Sequence, residues 1–191
     1  MSLAATVVWR RLDVVGTEFF QLSTDTDGPR LEGGIIAIHE GAPILVDYEI
    51  GCTRSWQTRH VALTAVSGET KRRLELRVDE HGRWWADKKE LAGLAGCLDV
   101  DVSLSPSTNT LPIRRLGFLD LPIGESCDVT AAWIRFPQLT VEPLPQRYTR
   151  LAARRFHYAS AGGAFTAELE VDDLGLVTSY PPFWERVTIE R

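Results

Sequence analysis

The sequence lacks most of the signatures by which chemistry announces itself. It has no G-x-S-x-G, no phosphate loop and no dinucleotide fingerprint, Gly33-Gly34 and Gly162-Gly163 being isolated pairs. Its three cysteines, Cys52, Cys97 and Cys127, form no C-x-x-C pair, which fits reduced thiols and argues against a disulfide framework. The four histidines make no metal-ligand spacing with one another or with cysteine, so no metal and no cofactor is expected. The longest purely nonpolar stretches, Gly33 to Ile38 and Gly41 to Val46, are far short of the roughly 20 residues of a membrane helix. No integral membrane association is expected. The start, Met1-Ser-Leu-Ala-Ala-Thr-Val-Val-Trp9-Arg-Arg, lacks the order of a secretory signal, and the expected compartment is the cytoplasm. Basic charge is also in short supply. Twenty-one Lys and Arg against 26 Asp and Glu give a net charge of -5, the opposite of a nucleic-acid footprint.

What is present is the balance of a soluble globular chain. Of 191 residues, 44% are hydrophobic and 25% charged, enough for a sizeable core, and no Pro/Gly/Ser-rich linker divides it. Residues 1–191 are therefore read as one domain. Alternation with period two, rich in β-branched and aromatic residues, recurs along nearly the whole length. Strands are expected at 6–12, 17–22, 30–39, 44–52, 58–66, 71–78, 83–86, 97–104, 126–136, 140–148, 151–158, 164–171, 175–180 and 184–189. Between them, Asp25-Thr-Asp-Gly28, Asp79-Glu-His-Gly82 and Asp172-Asp-Leu-Gly175 read as hairpin turns, because glycine accepts positive φ without a Cβ clash. A calcium loop at Ser23 to Gly28 is rejected, since Gly34 stands where a bidentate Glu is needed.

Only two segments read as helical. Asp87 to Leu94 has a capping Asp and an acid three residues later, and Thr110 to Gly117 has a capping Thr, an early Pro and a terminal Gly. The fold class is thus all-β, or β-rich α+β, with one to three short helices. Leu74-Glu-Leu-Arg-Val-Asp-Glu-His-Gly-Arg-Trp84 resembles Ala167-Glu-Leu-Glu-Val-Asp-Asp-Leu-Gly-Leu-Val177 about half a chain later. An internal duplication is one reading of this similarity, and shared turn chemistry is the other.

Two neighbourhoods attract chemical attention. The stretch Cys97 to Leu104, read as a strand, puts Leu98, Val100, Val102 and Leu104 on a buried face and Asp99, Asp101 and Ser103 on the other. The two carboxylates form an acid and base pair, or a solvated outer face, or an ion pair with Arg114 and Arg115, the turn-rich 106–110 segment returning the chain beside its own strand. Arg54-Ser-Trp56-Gln-Thr-Arg59 mixes cationic, aromatic and hydroxyl groups suited to a polar head group. The six tryptophans together with Tyr148, Tyr158 and Tyr180 exceed what a simple sheet core needs, as expected of a concave apolar face.

Trp56-Gln-Thr-Arg59, Gly96-Cys-Leu-Asp-Val-Asp101, Thr108-Asn-Thr-Leu-Pro-Ile-Arg-Arg-Leu116, Gln146-Arg-Tyr148 and Tyr180-Pro181 together carry a family likeness. The sequence resembles, from about Trp9 to Arg186, the bacterial glycolipid-binding family that was once a domain of unknown function. The resemblance implies a single antiparallel, strongly curved incomplete β-barrel, similar to the lipoprotein-localisation carriers that hold acyl chains on a concave face. It supplies no catalytic residue. The implied partner is a glycolipid or fatty-acyl ligand, with no nucleic acid, bound by Trp56, Arg59, Asp99, Asp101, Asn109, Arg114, Arg115, Tyr148 and Tyr180. A small hydrolase or isomerase using Asp99 and Asp101 and an interaction module without a small ligand are the rival readings.

Overall fold

A computed structural model describes residues 2–118 and 120–187. The end of the last expected strand, 188–189, lies outside them. The strands are β1 (Ser2–Arg11), β2 (Gly16–Thr24), β3 (Pro29–His39), β4 (Ala42–Cys52), β5 (Thr58–Ser67), β6 (Thr70–Val78), β7 (Trp84–Ala86) and β8 (Lys89–Glu90), then β9 (Asp99–Val102), β10 (Ser126–Arg135), β11 (Thr140–Ala152), β12 (Arg155–Ser160), β13 (Phe165–Val171), β14 (Val177–Tyr180) and β15 (Trp184–Arg186). They form one open sheet in the order β8 to β1, then β15 back to β9, so two meanders join where β1 pairs with β15. All pairings are antiparallel except that of β9 with β10. The described residues contain one short α-helix, α1 (Thr110–Arg115), and three 3-10 turns.

Alternation of side chains explains the core. In β2, Glu18, Phe20 and Leu22 point inward, as do Leu31, Ile35 and Ala37 in β3 and Ile44, Val46, Tyr48 and Ile50 in β4. Trp9 locks the seam between the meanders, its fully buried indole N–H donating to the Val177 carbonyl at 2.7 Å. The sheet is strongly coiled. Although β9 is an edge strand, the Thr58 N–H at the start of β5 reaches the Leu98 carbonyl at 2.9 Å, and the Thr58 hydroxyl accepts the Val100 N–H at 3.1 Å. The Trp84 indole donates to the Cys97 carbonyl at 2.9 Å, so the β9 edge is covered by the other half instead of lying open to a further strand.

Several expectations need correction. Asp87 to Leu94 is not a helix: Asp87 has φ of 52°, and the chain turns tightly so that Ala86 pairs with Lys89, with a 3-10 turn at Ala92–Leu94 after it. The capping-box pattern was matched, but a left-handed Asp87 starts a hairpin instead. The strands expected at 140–148 and 151–158 are divided in the wrong place, because β11 runs on to Ala152 through a bulge and turns at Ala153-Arg154. Thr110 does not cap α1. A 3-10 turn at Ser107–Asn109 precedes the helix, and the Thr110 hydroxyl donates to the Gly175 carbonyl at 3.1 Å. Gly117 does end the helical stretch, with φ of 61°.

The internal similarity corresponds to one turn used twice. Asp79 Oδ1 accepts the N–H groups of His81 and Arg83 at 2.9 and 3.0 Å, and Asp172 Oδ1 accepts those of Leu174 and Leu176 at 2.9 and 3.0 Å. Gly82 and Gly175 follow with φ of 74° and 77°, a conformation closed to most side chains, and Leu76 and Leu169 before them are both buried.

Candidate functional site

The segment from β9 through α1 lies inside the coiled sheet. Ser105 and Ser107 meet Glu18 of β2 and Tyr48 of β4. Further along, the Arg114 guanidinium sits 5.2 Å above the Trp56 ring, and Phe118 packs on Tyr148 and Phe156 of β11 and β12 at 5.5 and 6.1 Å. Much of the trough is therefore filled by the chain itself. Gly33 makes this possible, since the Tyr48 ring lies where a Cβ on residue 33 would stand, and its hydroxyl is thereby aimed at Glu18. Tyr48 and Ser105 both donate to Glu18 Oε1, while Oε2 is buried without a partner. Burial pushes the Glu18 carboxyl up to about 8, against the opposing hydrogen bonds from Tyr48, Ser105 and Ser107.

The β9 carboxylates behave differently from one another. Asp99 is fully buried, contrary to the solvated face expected of it, because both sides of β9 are covered once the sheet coils. Arg115 grips it with two parallel hydrogen bonds of 2.9 and 2.6 Å, the ion pair that the returning 106–110 turn predicts. Burial still raises the Asp99 pKa, the Arg115 hydrogen bond and charge opposing it. Asp101 is partly buried and accepts the Gln146 amide N–H at 2.6 Å; desolvation raises it to about 6, against that bond. The two acids thus have separate partners and share no proton. Val100, Val102 and Leu104 are buried together as expected, whereas Leu98 is only partly covered. Burial, with Asp99 nearby, lifts the thiols of Cys52 to about 12 and Cys97 to about 11, so neither is an activated thiolate.

Two hollows meet at the Asp101–Gln146 bond, with Ser160 bordering both. The larger, about 790 Å³, is a basin touched by Gln146, Arg115 and Arg147, but these arginines are already paired with Asp99 and Asp128. The smaller, about 450 Å³, is an aromatic cleft. Four of its rings form a closed circuit: Tyr158 to Phe165 at 5.9 Å, Phe165 to Phe183 at 5.5 Å, Phe183 to Tyr180 at 5.8 Å and Tyr180 to Tyr158 at 6.4 Å. Trp133, Phe136 and Trp184 extend it, and Asp101, Ser103 and Asn109 supply polar groups. A concave, mainly apolar cleft with a few convergent polar groups is the usual form of a small-molecule site.

Of the nine residues expected to bind a ligand, Asp101, Asn109 and Tyr180 line this cleft. Tyr148 stands behind it, fully covered, its hydroxyl donating to Asn109 Oδ1 at 2.9 Å. Arg115 touches the basin and Asp99 is sealed beneath it. Trp56 and Arg114 pair with each other outside both hollows, and Arg59 is exposed on the opposite side of β5 from Thr58. The sequence reading missed Phe165, Phe183, Gln146 and Glu18. For Glu18 a signal existed, since it shares the parity of Phe20 and Leu22 and so had to face inward; the cleft phenylalanines carry none.

Among the described residues no group of acids, histidines and cysteines could hold a metal, and no helix is long and apolar enough to cross a membrane. No curated protein matches the chain. A crystal structure of a DUF1089 family protein from Pseudomonas aeruginosa is similar over 89% of this chain and 92% of that one, at 35% identity and a TM-score of 0.79. The family described as "Putative glycolipid-binding" matches residues 6–186. With that match spanning nearly the whole coiled sheet and both hollows, the chain belongs to this family.

Proposed function

We propose that this protein is a non-enzymatic binder of an amphipathic molecule, a glycolipid or acyl-bearing ligand, seated in the aromatic cleft. The observation that carries the reading is the closed circuit of Tyr158, Phe165, Phe183 and Tyr180 beside Asp101 and Asn109. Rings of this kind bury large apolar area and stack on sugar or acyl carbons, while the polar groups orient a head group. The family name supports the ligand class. The protein works in the cytoplasm on this reading, which its three unpaired cysteines favour.

A fluorescent alkyl glucoside, an uncharged amphiphile, is expected to bind with micromolar affinity, about -8 kcal/mol. Phe183→Ala, which opens the circuit, is expected to weaken it about tenfold, by ~1.4 kcal/mol. A folded protein that binds no probe would count against the reading. Native mass spectrometry of protein purified from its own host is expected to carry a co-purified lipid. A second reading, a small hydrolase or isomerase, is favoured by the Asp101 carboxyl held near 6 in an open cleft. It would show as a change in the mass of the bound molecule on incubation, whereas a binder returns it unaltered.

A further inference from the structure

The charges around the aromatic cleft do not cancel. Arg11 donates from Nε and Nη2 to the two carboxylate oxygens of Asp13 at 2.9 and 2.6 Å, and its guanidinium lies 5.1 Å from the Trp184 ring. Arg135 donates to Glu142 at 3.1 Å and lies 4.8 Å from the Trp133 ring. Both lining arginines are therefore neutralised by anions of their own. His39 Nε2 is 3.2 Å from the Phe136 carbonyl, to which it donates. What is left over is negative: Asp101, whose one hydrogen-bond partner among the described residues is the neutral Gln146 amide, and exposed Glu40, which has no ion-pair partner among them.

Aromatic faces and an uncompensated carboxylate favour the same guest. A cation within about 6 Å of a ring centroid is held by the ring quadrupole, with roughly 0.5 to 2 kcal/mol per contact depending on desolvation. An anionic head would face Asp101 without a free guanidinium to meet it, and a neutral sugar would gain hydrogen bonds from the carboxylate but no attraction between full charges. We infer that the group seated against Asp101 is an organic ammonium, a protonated amine or a quaternary ammonium, carried either on a sugar or on a choline-like head. This rests on the reading of the cleft as the binding site and deepens it by naming the charge class of the ligand.

Several titratable groups stand on or beside the cleft with Asp101. Tyr148, Tyr158 and Tyr180 are raised by burial and are neutral, and Asp99 is held by Arg115. His39 and Glu40 line the same cleft, and comparison with Asp101→Asn separates their titration from that of Asp101. With Asp101 near 6 in the free protein, a bound cation stabilises its ionised form, so cation affinity weakens as pH falls through that value.

The test is calorimetric binding, below the micelle concentration, of decyltrimethylammonium, decyl glucosaminide, decyl glucoside and decyl sulfate at about pH 7 and about pH 5, either side of the Asp101 value of about 6. At the higher pH at least one cationic ligand is expected to bind about tenfold tighter than the glucoside, and the sulfate weakest. A tighter glucosaminide points to an amino sugar, and a tighter trimethylammonium to a choline-like head. The advantage should collapse at the lower pH, and equally in Asp101→Asn at the higher pH, the ratio of cation to glucoside affinity falling to about one. Equal affinity for all four, preference for the sulfate, or an Asp101→Asn variant that keeps the cation preference would overturn the inference while leaving amphiphile binding intact. Failure of every ligand to bind would overturn both.

Discussion

Glu18 and Asp101 are both inward-facing carboxyls whose pKa values burial raises, to about 8 and about 6, yet their surroundings differ in kind. Glu18 is sealed under Tyr48, Ser105 and Ser107, with the segment leading into α1 laid across it. Asp101 opens onto a cleft walled by aromatic rings and has one neutral partner. A perturbed carboxyl marks a candidate site only when a ligand can reach it, and here access, not the size of the shift, separates a packed latch from a binding position. The arginines teach the same lesson. Arg115, Arg147, Arg11 and Arg135 are all engaged with carboxylates, so a count of basic residues near a hollow says nothing about its affinity for anions until the pairs are subtracted.

The contrast is open to direct challenge. Phe118→Ala removes a fully buried ring from the filled side of the trough and is expected to cost about 3 to 5 kcal/mol in urea unfolding, against about 1 kcal/mol for the partly exposed Phe183→Ala. Equal costs would mean that the cleft rings are core and not site. A second challenge uses pH. Glu18 holds its proton in the folded state up to about 8 but releases it near 4.5 when unfolded, so the folded state binds more protons between those values. Its contribution to stability is therefore greatest below about 4.5, falls as pH rises, and levels off above about 8, a decline on the order of a few kcal/mol. In Glu18→Gln this component should vanish, and thermal melts that keep the wild-type slope would show that Glu18 is hydrated and not sealed. The smallest effect is expected at Arg59→Ala. With the side chain exposed and away from both hollows, stability should stay within about 0.5 kcal/mol and probe affinity should be unchanged. A clear loss of affinity would extend the site to the outer face of β5.

Much of this fold was legible in the sequence. Period-two alternation located the strands, and Asp-x-x-Gly located three of the turns, because both depend on contacts within a few residues. The Asp99–Arg115 pair was legible for a related reason: a short turn-rich return leaves a charged side chain little choice but the strand it came from. The same local rules failed at Asp87, where a capping-box pattern and a left-handed turn are written with the same residues.

The sequence by itself determined a β-rich chain with inward-facing apolar rows, its family membership and a surplus of aromatic rings. Only the tertiary structure decided where that surplus lies. Tyr158, Phe165, Tyr180 and Phe183 come from β12, β13, β14 and the turn after it, and become neighbours through pairing across the sheet. Coiling decided the rest, burying Asp99 by covering β9 on both sides while leaving Asp101 beside a cleft. The physical reason is range: hydrogen-bond periodicity and turn chemistry act over a few residues, whereas solvent access to a side chain depends on every strand that closes around it.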